Sequence, residues 1–143
     1  MAISIKFGLT VPQRGAFFGV STISDMLAMV VEADRLDLFT SAWVGDSLFA
    51  KPRPDSLTLL GALTGVTDRL TLGVGCMASF PGPVFTPDMV ESWTAAGTPQ
   101  QCVAHLRELA REGAQAITLR ITGWDQKGQY QRMVNEVLPN VNE

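Results

Sequence analysis

Apolar and polar positions alternate at the start of the chain: Ile3, Ile5, Phe7 and Leu9 against Ser4, Lys6, Gly8 and Thr10. A period of two sends successive side chains to opposite faces of a strand, so residues 3–10 form the first predicted strand. A loop with Pro12, Gly15 and Gly19 covers residues 11–20. The period then changes. Ile23, Met26, Leu27, Val30 and Val31 recur at helical spacing. Ser21-Thr22-Ile23-Ser24-Asp25 precedes them, a hydroxyl cap with an acid three residues on, each able to satisfy a free amide at a helix start. This helix is predicted to end near Leu36. Residues 41–45 read as a short buried strand closed by Asp46, and Lys51-Pro52-Arg53-Pro54 as a loop, since each proline biases its predecessor away from helix. Asp55 caps a second predicted helix bearing Leu57, Leu60 and Leu63. Gly61 and Gly65 each cost that helix roughly 1 kcal/mol against Ala, which points to close packing on a neighbour. Residues 70–76 are the third strand.

The stretch from Met77 to Pro87 is irregular, because Pro81, Gly82, Pro83 and Pro87 interrupt both helix and strand. Thr86 caps a short predicted helix with Pro87 at its first position, ending at Gly97. Thr98-Pro99-Gln100-Gln101 starts another, with cap, first-turn proline and a glutamine at the third position. Val103, Leu106, Leu109 and Ala110 line one face of it, and Gly113 ends it. Residues 116–121 are strand four. A last helix carries Tyr130, Met133, Val134, Val137 and Leu138 and stops at Pro139. Strands alternating with helices predict an α/β fold of four parallel strands with right-handed crossover helices.

Composition narrows the function classes. A chain of 143 residues, 46% hydrophobic and 17% charged, has the size and apolar content of a single folded domain and not of a disordered one. Its net charge of −3 supplies no basic stripe to neutralise phosphates, so no nucleic-acid partner is expected. Two cysteines far apart and one histidine exclude a disulfide framework and any zinc site of known spacing, so no metal is expected. No apolar run approaches the roughly 20 residues of a membrane span, and the first six residues lack the pattern of a signal peptide, so the expected compartment is the cytoplasm.

Few residues carry candidate chemistry. Gly73-Val74-Gly75-Cys76-Met77-Ala78 fits G-x-G-x-x-A, but prolines follow where a dinucleotide fold needs a helix, and close packing at a strand end accounts for the glycines. Asp46 ends a buried strand, where parallel α/β folds gather ligand groups; the ordinary reading is a turn-capping acid. Cys76 and His105 make a poor catalytic pair at this separation. Trp124 follows strand four and could stack on a ring, although half-buried packing is commoner. Arg120 needs an anionic partner if it faces inward, and exposure is the simpler expectation; Arg53 is expected to be solvated.

Phe7-Gly8-Leu9, Glu32-Ala33-Asp34-Arg35-Leu36, Ala42-Trp43-Val44-Gly45-Asp46-Ser47, residues 55–63 and Thr67-Asp68-Arg69-Leu70-Thr71-Leu72-Gly73 form one block. Gly97-Thr98-Pro99-Gln100-Gln101 through Pro139 forms a second. The first resembles the N-terminal part, and the second the C-terminal end, of the luciferase-like flavin- and F420-dependent oxidoreductases. Family members are (β/α)₈ barrels of about 250 residues. The resemblance therefore implies one domain, 1–143, with the middle of the barrel missing. Residues 1–78 match the first βα units, 79–97 form the junction, and 98–143 match the closing αβα. The retained strands would be the eighth, first, second and third, one arc of half a TIM-like barrel. The inner face of such an arc is expected to be apolar and to close an eight-stranded barrel by homodimerisation. Bound FMN or coenzyme F420 is implied at the strand C-terminal ends, with hydride transfer or monooxygenation of a small organic substrate. Asp46, Gly75, Cys76 and Met77 would lie at the cofactor, Gln13 and Trp124 in the substrate pocket, and no catalytic residue is implied. The alternative is a non-catalytic descendant of that family, a dimeric structural or small-molecule-binding module.

Overall fold

Four parallel strands lie in the order β3-β2-β1-β4 in the computed structural model, which describes residues 5–46, 53–76, 95–121 and 124–142. They are β1 (Lys6–Thr10), β2 (Phe39–Asp46), β3 (Thr71–Cys76) and β4 (Ala116–Arg120). The helices are α1 (Arg14–Phe17), α2 (Ile23–Arg35), α3 (Ser56–Thr64), α4 (Pro99–Arg111) and α5 (Gln126–Arg132). A wide helical turn, Met133–Val137, and a tight one, Leu138–Asn140, follow. Crossover helices connect β1 to β2 and β2 to β3, as the alternation of periods predicts. The predicted helix over 87–97 lies outside the described residues. No helix among the described residues is long and apolar enough to cross a membrane.

Local chemistry sets the helix starts. Thr22 accepts from the Asp25 amide while Asp25 takes the Thr22 N–H at 2.8 Å, a reciprocal cap; the Thr22 hydroxyl, donating to Asp25 Oδ2 at 2.7 Å, and then that N–H hold the Asp25 carboxyl below its usual range. Thr98 and Gln101 repeat the arrangement at α4, with Pro99 where a missing N–H costs nothing. Asp55 and Asp125 cap α3 and α5 through the amides of Thr58 and Gly128.

One face of the sheet packs α2, α3, α4 and α5. Phe7, Leu9, Ala42 and Val44 join Met26, Val30, Leu63, Leu106, Tyr130 and Val134 in a single buried cluster. Ile117 and Leu119 of β4, in register with Phe7 and Leu9, pack against it. Two helix details differ from expectation. Helix α3 buries Leu59 and Leu63 while Leu57 is 72% exposed, so its rotation is about one residue from the predicted face. Gly61 and Gly65 have no tight neighbour, which corrects the expected close packing there. A third difference concerns 11–20, where the short helix α1 interrupts the predicted loop.

The opposite face is small and polar. Register places Gly8, Ser41, Thr71 and Thr118 in one row and Thr10, Trp43, Gly73 and Arg120 in the next. Trp43 folds across the strands, its Nε1–H donating to Ser41 Oγ at 3.0 Å. A Cβ on Gly73 would come within 2.5 Å of the Trp43 ring, so glycine is what lets the indole lie flat on β3. The apolar inner face expected from the resemblance is thereby corrected. The alternation that sends Phe7 and Leu9 to the helices sends Lys6, Gly8 and Thr10 the other way.

Candidate functional site

The C-terminal ends of parallel strands gather the loops that differ most in chemistry, because each strand there hands over to a new segment. Here the segments after β1 and β4 and the one before α3 meet around a cavity of about 330 Å³. Arg14, Arg53 and Arg120 line it, with Gln13, Phe18 and Trp124. Among the described residues, arginine is the only ionisable residue type in that lining. Burial lowers the Arg120 pKa, and the positive charges of Arg14 and Arg53 lower it further. Arg14 and Arg120 are exposed and Arg53 is half-buried, so the three like charges gather around an open cavity.

Arg53 is half-buried, not solvated as expected, and its buried Nε has no hydrogen-bond partner among the described residues. An unpaired buried donor is costly, more so when charged, and an anion is the chemistry that offsets it. Arg120 is exposed, as expected, at the end of β4 on the face opposite α2, α3, α4 and α5, and lines the cavity.

Gln13 is 4% exposed and lines the cavity, but its amide is committed to the scaffold. Its Oε1 accepts the Gly45 N–H at 2.6 Å, and its Nε2 donates to the Pro54 carbonyl at 3.3 Å. The side chain thereby ties the end of β2 to the segment carrying Arg53. Ser56 adds a second tie by donating to the Gly45 carbonyl at 2.7 Å. We expect Gln13→Ala to lower unfolding stability by about 1–3 kcal/mol, the cost of an orphaned buried amide, as read from urea denaturation. A change below about 0.5 kcal/mol would contradict that role.

Trp124 is 75% exposed at the rim and meets Phe18 edge to face, with ring centroids 5.7 Å apart; Phe17 extends the cluster at 5.0 Å from Phe18. The structure therefore brings together Gln13 and Trp124 with Arg53 and Arg120, for which the sequence predicts solvation and exposure, and adds Arg14 and Phe18. Asp46 is exposed at the end of β2 and does not line the cavity, nor does Gly75 on β3. The Cys76 backbone closes β3, while its side chain and Met77 lie outside the described residues. His105 is half-buried on α4 and is not in the lining. Among the described residues no cluster of His, Cys, Asp or Glu is arranged to hold a metal ion. The arginines were visible in the sequence only one at a time; the order of the strands is what assembles them.

No protein-family model, curated protein or solved structure matches this chain.

Proposed function

We propose that the cavity binds a small molecule through a phosphate or carboxylate, and that the ligand is FMN or coenzyme F420, as the luciferase-like resemblance implies. The observation that carries this reading is the convergence of Arg14, Arg53 and Arg120 on one cavity, with the Arg53 Nε donor unpaired. Planar forked guanidinium groups suit phosphate oxygens better than any other side chain. At about 330 Å³ the cavity is near the lower bound for small-molecule sites, so it takes the anionic arm while a ring system rests on the Phe18–Trp124 rim. Bound flavin or deazaflavin supplies hydride chemistry; the chain orients the ligand and neutralises its charge. A second reading is a binding module without turnover, favoured by a described lining of arginine, amide, aromatic and aliphatic side chains.

The half-barrel interpretation belongs to the same proposal. A doubly wound sheet places helices on both faces, whereas here α2, α3, α4 and α5 share one face and β4 returns to the free side of β1. An arc cut from a closed barrel has that arrangement. A second copy would cover the polar face through hydrogen bonds more than through apolar burial, and its mouth would extend the ligand site.

Titration of the purified chain with FMN, F420 and inorganic phosphate, with sedimentation to fix its oligomeric mass, tests this. The expected result is saturable binding weakened roughly tenfold or more by Arg53→Ala and by added salt. Absence of binding by all three ligands up to about 1 mM would overturn the anion site. Binding of phosphate alone would keep the site and reject the cofactor.

A further inference from the structure

Helix α1 ends in a tip that displays aromatic rings. Gly15 is buried with no room for a Cβ, hemmed in by Ser21 and Gln126, so the inner side of the turn is seated firmly. Gly19, at φ +67°, turns the chain directly after Phe18. Phe18 N–H donates to the Arg14 carbonyl at 3.2 Å, and Val20 N–H to the Gly15 carbonyl at 3.0 Å. Phe17 and Phe18 are thereby held outward, 56% and 53% exposed, and Trp124 joins them from the segment after β4. The rings meet edge to face in sequence, Phe17 to Phe18 to Trp124. Scattered exposed apolar side chains are ordinary, whereas contiguous ones mark a contact surface. Phe17 does not line the arginine-rich cavity, so the cluster extends past what a ligand seated there would touch.

Charge narrows what that surface meets. Arg14 opens α1 itself, and Arg53 and Arg120 line the mouth beside Phe18 and Trp124. Asp125, next to Trp124 in sequence, is turned to the Gly128 amide at 2.9 Å. Of the 11 basic side chains in the chain, these three leave 8 against 14 acidic ones. An anionic surface therefore attracts the mouth and repels the remainder of the molecule, which orients it. A protein partner needs a face of about 20 residues a side, far more than three rings and three cations supply. A lipid surface needs only the two signals present here, an apolar element for the interfacial layer and cations for the headgroups. Each arginine close to an anionic leaflet strengthens binding about fivefold, so three together give roughly a hundredfold.

We propose that the Phe17–Phe18–Trp124 cluster and the arginine-lined mouth dock on an anionic phospholipid surface, the rings entering the interfacial layer and the arginines meeting headgroup phosphates. This docking rests on the reading of the arginines as a phosphate site and not on a flavin.

Vesicles of phosphatidylcholine alone, and of equal parts phosphatidylcholine and phosphatidylglycerol, are the probes, read by co-sedimentation. Inorganic phosphate is titrated beside them by calorimetry. Expected is binding to the mixed vesicles roughly tenfold or more stronger than to the neutral ones, weakening as salt is raised. Phe17→Ser removes the ring that lies outside the cavity. It should weaken binding to mixed vesicles about fivefold and leave the affinity for inorganic phosphate unchanged. Equal binding to both compositions, no co-sedimentation with either, or an unaffected Phe17→Ser variant would each overturn the proposal. Phosphate binding without vesicle binding would reject the docking and keep the anion site; loss of both would reject the two together. A Phe17→Ser change that splits a dimer without altering vesicle binding would assign the cluster to an interface between copies and overturn the docking. Should that variant fail to fold, the composition and salt dependence of the unmodified chain still decide.

Discussion

Phe39→Ala is expected to lower the free energy of unfolding by about 3–5 kcal/mol, the largest effect of any single change considered for this chain. Phe39 opens β2 and is fully buried. Its register partner is Phe7, and its ring stacks on Tyr130 from α5. It therefore joins the sheet to a helix that enters about ninety residues later in the sequence. Truncation removes the transfer energy of the ring, leaves a cavity beneath Tyr130, and deletes an aromatic pair worth about 0.5–1.5 kcal/mol beyond its buried area. Domains of this size have about 5–15 kcal/mol in total, so the variant should sit near its unfolding threshold. Phe39→Leu retains much of the volume and should cost less. Urea denaturation with an unchanged slope checks both. An Ala variant within about 1 kcal/mol of the parent would mean that the ring is not part of the core.

Arg69→Ala is the second large expectation, about 2–3 kcal/mol. Arg69 precedes β3, and its guanidinium reaches back to the end of α2. Nε donates to the Asp34 carbonyl at 3.0 Å, Nη2 to Ala33 and Leu36 at 3.1 and 2.6 Å, and Nη1 to Phe39 at 2.6 Å. These include carbonyls that a helix end leaves without partners, and a cation there also meets the negative end of the helix dipole. The Asp37 contact, at 4.0 Å with Asp37 fully exposed, adds little. Lysine cannot replace the fork, so Arg69→Lys should restore little of the loss.

Asp34 completes the clasp from the other side. Its carboxylate accepts the amides of Asp68, Arg69 and Leu70 at 3.1, 3.0 and 2.9 Å. These bonds hold its pKa below the ordinary value of 3.8, the Asp68 amide contributing most. A depressed carboxyl contributes stability that is present above its unfolded pKa and is lost as pH falls through the folded one. The acid limb of the stability curve, below about pH 4, should therefore be shallower in Asp34→Asn than in the parent. Identical acid limbs would show that another carboxylate carries that dependence.

The residues of this clasp, Glu32 to Leu36 and Thr67 to Leu70, are among those on which the luciferase-like resemblance rests. In the structure they fasten α2 to β3 at the end of the sheet opposite the candidate site. Much of what the sequence made legible is of this kind. The reciprocal caps at Thr22–Asp25 and Thr98–Gln101, the Asp55 cap and the period-two strands are local, settled by residues within a few positions of one another. Parallel pairing followed from the alternation of strand and helix.

In the sequence by itself, near neighbours and periodicity set the starts of α2, α3 and α4, the centres of the four strands and their parallel run, but not α1 or the first two residues of β2. The tertiary structure alone decided that α3 turns Leu59 inward instead of Leu57, since helix rotation is set by the surface it meets. It alone decided that Trp43 lies over Gly73 on a polar face. It also decided that three distant arginines share a cavity and that the buried Tyr130 hydroxyl has no hydrogen-bond partner among the described residues. Those outcomes depend on strand order and register, which place residues side by side that no local pattern connects.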